Sequence, residues 1–190
     1  MGGILIEMTC SACRQVSREW LCRSCLRSLA TVPERVRGGV HVRSAFGHDG
    51  AARLLVHRLK YEAVSGIAER LAEVLEPLLP SDTTALVPVP RVWLRRWRYG
   101  IDPATALVTI LSARVGLPVV QALRPRIWVQ RRAGPAGGRR GVQSFRVRNA
   151  APVGSILVDD VVTTGTTLRV AAGVAGCWRA VTVTASGTGS

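Results

Sequence analysis

The chain has 190 residues, 47% of them hydrophobic, which suffices for one main domain with a packed core and a small appendage. Lys and Arg number 26 against 12 Asp and Glu, a net charge of +14 that suits polyphosphate or nucleic acid, although a GC-rich genome would produce the same arginine bias. No apolar run approaches the roughly eighteen residues that span a bilayer, and the start M-G-G-I-L-I-E-M-T-C lacks the basic segment of a secretory signal. No membrane insertion and a cytoplasmic location are therefore expected.

The first motif is C-S-A-C at Cys10 and Cys13, followed by C-R-S-C at Cys22 and Cys25. Two Cys-x-x-Cys knuckles are the spacing of a tetrahedral zinc site, each knuckle supplying two thiolates from a tight turn. Four protein ligands leave no open position, so the expected Zn2+ is structural. Cys177, in an apolar stretch beside Trp178, reads as a small core residue. A zinc-binding module over residues 1–30 and a larger domain over 31–190 follow.

Val40, Val42 and Ala45–Phe46 suggest a short strand, with His41 and His48 as surface or packing residues. Ala52, Leu55, Val56 and Leu59 recur at helical spacing behind Asp49, a suitable N-cap, and Ile67 to Leu79 gives a second amphipathic helix closed by Pro77 and Pro80. Within the first helix stands Lys60, the single lysine beside 25 arginines, followed by Tyr61. A lysine retained in such a chain hints at a site that needs a compact, rotatable cation; a surface survivor is the plain alternative.

Thr84 to Val89 predicts a buried strand ending in V-P-V-P-R, so that Pro90 and Arg91 open the next loop. The run R-V-W-L-R-R-W-R-Y-G (91–100) interleaves arginines with Trp93, Trp97 and Tyr99, which fits either pyrophosphate capture by Arg91 and Arg98 or stacking on single-stranded nucleic acid. A helix over Pro103 to Val115 and a short strand over 117–120 come next. Residues 124–148, rich in Arg and Gly and holding Arg126, Gln130, Arg139 and Arg140, predict a flexible cationic loop.

The strongest motif is I-L-V-D-D-V-V-T-T-G-T-T-L, Ile156 to Leu168. Its aliphatic lead predicts a buried parallel strand, and ligands bind beyond the carboxyl ends of such strands. Gly165 allows a positive φ and close backbone approach, while Thr163, Thr164, Thr166 and Thr167 add hydroxyls at a helix start whose N–H groups and dipole favour phosphate. Asp159 and Asp160 cannot favour a bare phosphate, so sugar hydroxyls or a hydrated Mg2+ are expected opposite them. The competing expectation is a solvated Asp-Asp turn before a threonine-rich cap. A helix from Leu168 to Ala175 and a strand from Ala180 to Ala185 complete the reading.

V-D-D-V-V-T-T-G-T-T resembles the phosphoribosyl-pyrophosphate (PRPP) loop of type I phosphoribosyltransferases. With H-R-L-K-Y (57–61), V-P-V-P-R (87–91), R-Y-G-I-D (98–102) and the four cysteines in the same order, the chain is similar to the ComF/GntX-like branch, associated with competence and DNA uptake. The resemblance implies an α/β fold, Rossmann-like, with a mostly parallel sheet flanked by helices. It also implies ribose held by Asp159 and Asp160 as catalytic residues, and the 5-phosphate held by residues 163–167. Pyrophosphate would lie near Pro90, Arg91 and Arg98, Lys60 and Tyr61 would face the site, and the 124–148 loop would close over PRPP with Mg2+. The implied activity is transfer of phosphoribose to a nitrogenous base. The alternative is a non-catalytic accessory factor that binds single-stranded DNA beside competence proteins. Gly141 and Trp128 depart from the Asn and Thr of the family's loop pattern.

Overall fold

A computed structural model of the chain describes residues 9–61, 65–90, 103–126 and 144–187. The core is a five-stranded sheet in the order β1 (Arg35–Arg37), β2 (Val40–Gly47), β7 (Arg179–Ala185), β6 (Ile156–Val162), β3 (Leu86–Pro88). β1 runs antiparallel to β2 and the remaining pairings are parallel. This is the α/β architecture expected, with a mostly parallel sheet flanked by helices.

Burial explains the sheet. β6 is enclosed almost throughout, the pattern of a central parallel strand covered on both faces, and the alternation of Val40 and Val42 with exposed His41 marks β2 as nearer the edge. On one face α2 (Gly50–Tyr61), α3 (Ser65–Leu75) and α4 (Pro103–Val115) pack through Leu55, Leu71, Leu75, Leu107 and Leu111 onto Ile156, Val158 and Val181. On the other, α5 (Thr166–Ala175) lays Leu168, Ala171 and Ala172 on Val40, Val42, Leu157 and Ala180. Cys177 is buried in that second cluster, as expected, and burial pushes its thiol up against the opposing influence of Arg179.

Several predicted bounds shift. The second amphipathic helix ends at Leu75 and tightens into a 3-10 turn over Glu76–Leu78, because Pro77 has no N–H to continue the α pattern. The strand expected over 117–120 reduces to a single bridge between Leu86 and Val119. The loop expected over 124–148 starts and ends inside structure: β4 (Leu123–Pro125) pairs antiparallel with β5 (Phe145–Val147), and Phe145 is buried. Residues 127–143, with Gln130, Arg139 and Arg140, lie outside the described residues, as do Arg91 and Arg98. Among the described residues no helix is long and apolar enough to cross a membrane.

Candidate functional site

The four cysteines converge. Their Sγ atoms all lie within 4.8 Å of one another, and Cys13 and Cys22 approach to 3.7 Å. Tetrahedral thiolates at a Zn–S distance of about 2.3 Å stand about 3.8 Å apart, so the cluster fits a structural metal such as zinc. Local backbone builds it. Arg14 takes a left-handed φ of 66° and donates its N–H to the Cys10 carbonyl, closing the first knuckle. Cys22 caps the short helix α1 (Arg23–Arg27), whose first turn returns Cys25 to the same side. Burial pushes the Cys10 thiol up, but the backbone amides of Cys22, Cys13 and Ala12 outweigh it and bring the thiol to about 6. Burial and hydrogen bonds with Cys13, Cys22 and Cys10 push Cys25 the other way. A metal held by four thiolates would displace the protons that the thiols carry.

The second constellation lies where β2, β7, β6 and β3 end. Asp159 and Asp160 are 8% and 2% exposed, which rules out the solvated-turn reading. β6 continues to Val162, so strand alternation sends the two carboxylates to opposite faces of the sheet. Asp159 Oδ1 accepts the Asp160 N–H at 2.8 Å, and its residue lines a cleft of about 230 Å3, open to solvent, with Thr163, Thr164, Gly165, Thr166 and Thr167. Asp160 instead meets α2: Lys60 Nζ stands 3.4 Å from its Oδ2, with side-chain exposures of 17% and 3%. The single lysine of the chain is therefore the counter-ion of one member of the dyad. Tyr61 is the last residue of α2, and Pro90 follows β3 at the same edge.

Gly165 takes φ 78° as the N-cap of α5, and Arg169 N–H closes the first turn on its carbonyl at 2.8 Å. The close approach it permits is to the protein itself. A Cβ at this position would stand 2.5 Å from the backbone carbon of Arg37 in β1. Thr164 and Thr166 share a hydroxyl contact of 2.9 Å, while Thr163 and Thr164 are exposed at the mouth. The threonine turn is thus seated on the β1–β2 hairpin, with the helix start facing the cleft.

Two groups at this edge escaped the sequence reading. His48, read as a surface or packing residue without a partner, places Nδ1 2.8 Å from Thr184 Oγ1 at the end of β7. Thr184 donates its hydroxyl to the Asp160 carbonyl at 3.4 Å, so the imidazole N–H belongs on Nδ1. Burial holds the His48 ring below its ordinary range, with the charges of Lys60 and Arg53 adding to burial and those of Asp160 and Asp49 opposing it. His41 stays exposed, 3.9 Å from Glu34. Beneath the edge, Ser44 and Thr182 join β2 to β7 through a buried hydroxyl contact of 2.7 Å. The alternation T-V-T at 182–184 carried this signal, since threonines at every second position of a strand share a face.

No protein-family model matches the chain, and no curated protein matches it in sequence. The likeness to the ComF/GntX-like branch rests on the motifs quoted above.

Proposed function

We propose that the protein is a phosphoribosyltransferase-type, ComF-like protein that binds PRPP with Mg2+. The observation that carries this reading is the cleft beyond β6, where a threonine turn and a helix start adjoin a buried carboxylate. The amides at the start of α5 and the threonine hydroxyls suit a 5-phosphate, and Asp159 suits the hydroxyls of the attached ribose. Asp160, held by Lys60 on the opposite face, reaches a ligand through the backbone position it fixes for the turn. Pro90 begins the loop that would receive pyrophosphate.

In the transfer, a nitrogen nucleophile bonds to C1 of the ribose as the C1–O bond breaks and pyrophosphate leaves with the bonding electrons. Positioning and charge account for most of the assistance the chain can offer. Mg2+ bound with PRPP would neutralise charge on the leaving group. The same reading links the protein to competence and DNA uptake.

Isothermal calorimetry with PRPP and Mg2+ tests the proposal. Wild type should bind and Asp159→Asn should bind at least tenfold more weakly; absence of heat with wild type, or equal affinity of the two, removes it. The nucleic-acid alternative draws on the charge of +14 and on Trp93, Trp97 and Arg98, which lie outside the described residues. Single-stranded DNA binding that falls steeply with salt and is lost on substitution of those three residues would establish it.

A further inference from the structure

The hairpin β4–β5 has two faces of opposite character. Leu123 and Phe145 are buried in one cluster with Leu168, Ala171 and Ala172 of α5. The alternate positions hold arginines. Arg124 and Arg146 stand directly opposite each other across the ribbon, and Arg126 and Arg148 follow two residues on along their strands, about 6.8 Å away. All four are exposed, and among the described residues no carboxylate pairs with them. The sequence has no acid between Asp102 and Asp159. Like charges set directly opposite destabilise a ribbon, so this face carries charge that its own surroundings leave unanswered.

The backbone of β5 is open as well. Arg126 N–H donates to the Ser144 carbonyl at 2.9 Å and Arg148 N–H to the Ala122 carbonyl at 2.8 Å. With the register of the hairpin, these bonds make Arg124 and Arg146 a hydrogen-bonded pair. The N–H and C=O groups of Phe145 and Val147 therefore point away from β4, and among the described residues they have no partner. On β4 the outward positions are Leu123 and Pro125, and the proline has no N–H to give. Val147, 65% exposed, adds an apolar side chain on the face of Phe145. The β5 edge thus combines unpaired amides and carbonyls with cations on one side and an apolar contact on the other.

We propose that the β5 edge is a docking site for an extended acidic segment of a partner protein, added antiparallel as a third strand, in which acids alternate with apolar residues. Main-chain bonds to Phe145 and Val147 make these the hydrogen-bonded positions of the new ladder. The residue opposite Arg146 then falls in a non-hydrogen-bonded pair, where Cα atoms are about 4.5 Å apart and side chains are closest. A carboxylate there meets the guanidinium fork, and the acid two positions away meets Arg148. The apolar residues between the acids lie beside Val147 and Phe145. A second copy of this chain is disfavoured as the occupant, because pairing β5 with β5 sets arginines against arginines. A nucleic-acid backbone matches the charge but makes no use of the open amides or of Val147. The proposal is independent of what the cleft beyond β6 binds.

The test uses two fluorescently labelled, amidated pentapeptides of one composition, Glu-Val-Glu-Val-Glu and Glu-Glu-Glu-Val-Val, titrated into the full chain by anisotropy and NMR. The alternating peptide should bind at least tenfold more tightly than its isomer and should slow amide exchange at Phe145 and Val147. Val147→Pro removes an outward N–H while keeping every arginine and the pairing with β4, and should lower affinity for the alternating peptide at least tenfold. Arg146→Ser should lower it by a similar factor and, by relieving the facing charges, should melt no lower than wild type. Circular dichroism checks both folds. Equal binding of the two peptides, or equal binding by wild type and Val147→Pro, would show attraction by charge alone and overturn the proposal. It is also overturned if neither peptide binds while single-stranded or duplex DNA binds wild type and Val147→Pro alike, which assigns the arginine face to nucleic acid. Dimerisation in sedimentation that is lost in Val147→Pro would overturn it in favour of a second copy.

Discussion

Removing the charge of Lys60 tests the link between helix α2 and the dyad. The pair is 3.4 Å apart with Asp160 3% exposed, so the carboxylate cannot turn to water when its neighbour loses charge. Breaking a buried pair from one side costs about 3–5 kcal/mol, against about 0–1 kcal/mol for a pair at the surface. Lys60 keeps 17% exposure, which places the expectation at the low end, about 3 kcal/mol for Lys60→Met. With a urea slope of about 2 kcal/mol/M, the unfolding midpoint should fall by about 1.5 M. Asp160→Asn removes the charge that Lys60 faces, so the double variant should be more stable than Lys60→Met alone. The coupling energy from the four-member cycle should exceed about 1.5 kcal/mol. Lys60→Arg should recover only part of the loss, because a planar fork replaces a compact ammonium in a space fitted to the latter. Tryptophan fluorescence in urea supplies all five curves. A single-variant cost below about 0.5 kcal/mol, or a coupling energy of that size, would show that the pair behaves as a surface contact and that the reasoning from burial is wrong.

Three further outcomes follow from the geometry. The purified protein should hold one Zn2+ per chain by atomic absorption, and a chelator or Cys22→Ser should lower its melting temperature by at least about 10 °C, since a closed four-thiolate site contributes folding energy directly. Because the His48 ring is held below its unfolded value, the folded state disfavours the protonated form, and that contribution is complete above about pH 6.5 and lost as pH falls through the folded pKa. Denaturant midpoints should therefore decline from pH 7 to pH 5 more steeply in wild type than in His48→Gln; parallel declines would exclude His48 as the source. Gly165→Ala should cost about 2 kcal/mol or more, combining a left-handed φ of 78° with a Cβ 2.5 Å from the Arg37 backbone, and should weaken PRPP binding through displacement of the turn. Unchanged calorimetry in that variant would separate the turn from the ligand.

What was legible in the sequence was local and periodic. The knuckle spacing located Cys10, Cys13, Cys22 and Cys25, and the bounds Pro103–Val115 were met because a proline start and continuous helical spacing leave little latitude. The unusual lysine stands beside Asp160, a contact that its rarity did not reveal. The losses came from pairings between distant segments. Leu123–Pro125 and Phe145–Val147 are three-residue strands that each read as part of an arginine-rich loop, and only their mutual register makes them a hairpin. His48 had no visible partner because Thr184 lies 136 residues away. The dyad read as one unit, yet the strand runs beyond it, and adjacency along a strand places side chains on opposite faces rather than together.

Helix α2 gives the cysteine cluster a role in the rest of the fold. Ser28, just past Cys25, donates its hydroxyl to the Cys25 carbonyl at 2.8 Å and accepts the Ala51 N–H at 3.2 Å, so it satisfies an open amide at the start of α2. Two turns on, Arg58 NH1 donates to the Ser11 carbonyl of the first knuckle at 2.7 Å. Leu55 and Val56 between these contacts, and Leu59 just beyond them, share one core cluster with Cys10, Ala12, Leu21 and Cys25. The helix is gripped near both ends by the knuckles, and the residue it carries two positions beyond Arg58 is Lys60, which meets Asp160. A side chain with many rotatable bonds holds a fixed 3.4 Å contact only if its backbone is fixed, and here much of that fixing comes from the cluster. Folding energy from a metal bound to four thiolates would therefore not stay within the first thirty residues. It would pass along α2 to the sheet edge where the proposed ligand lies, so that cluster occupancy and ligand affinity are coupled through one rigid element.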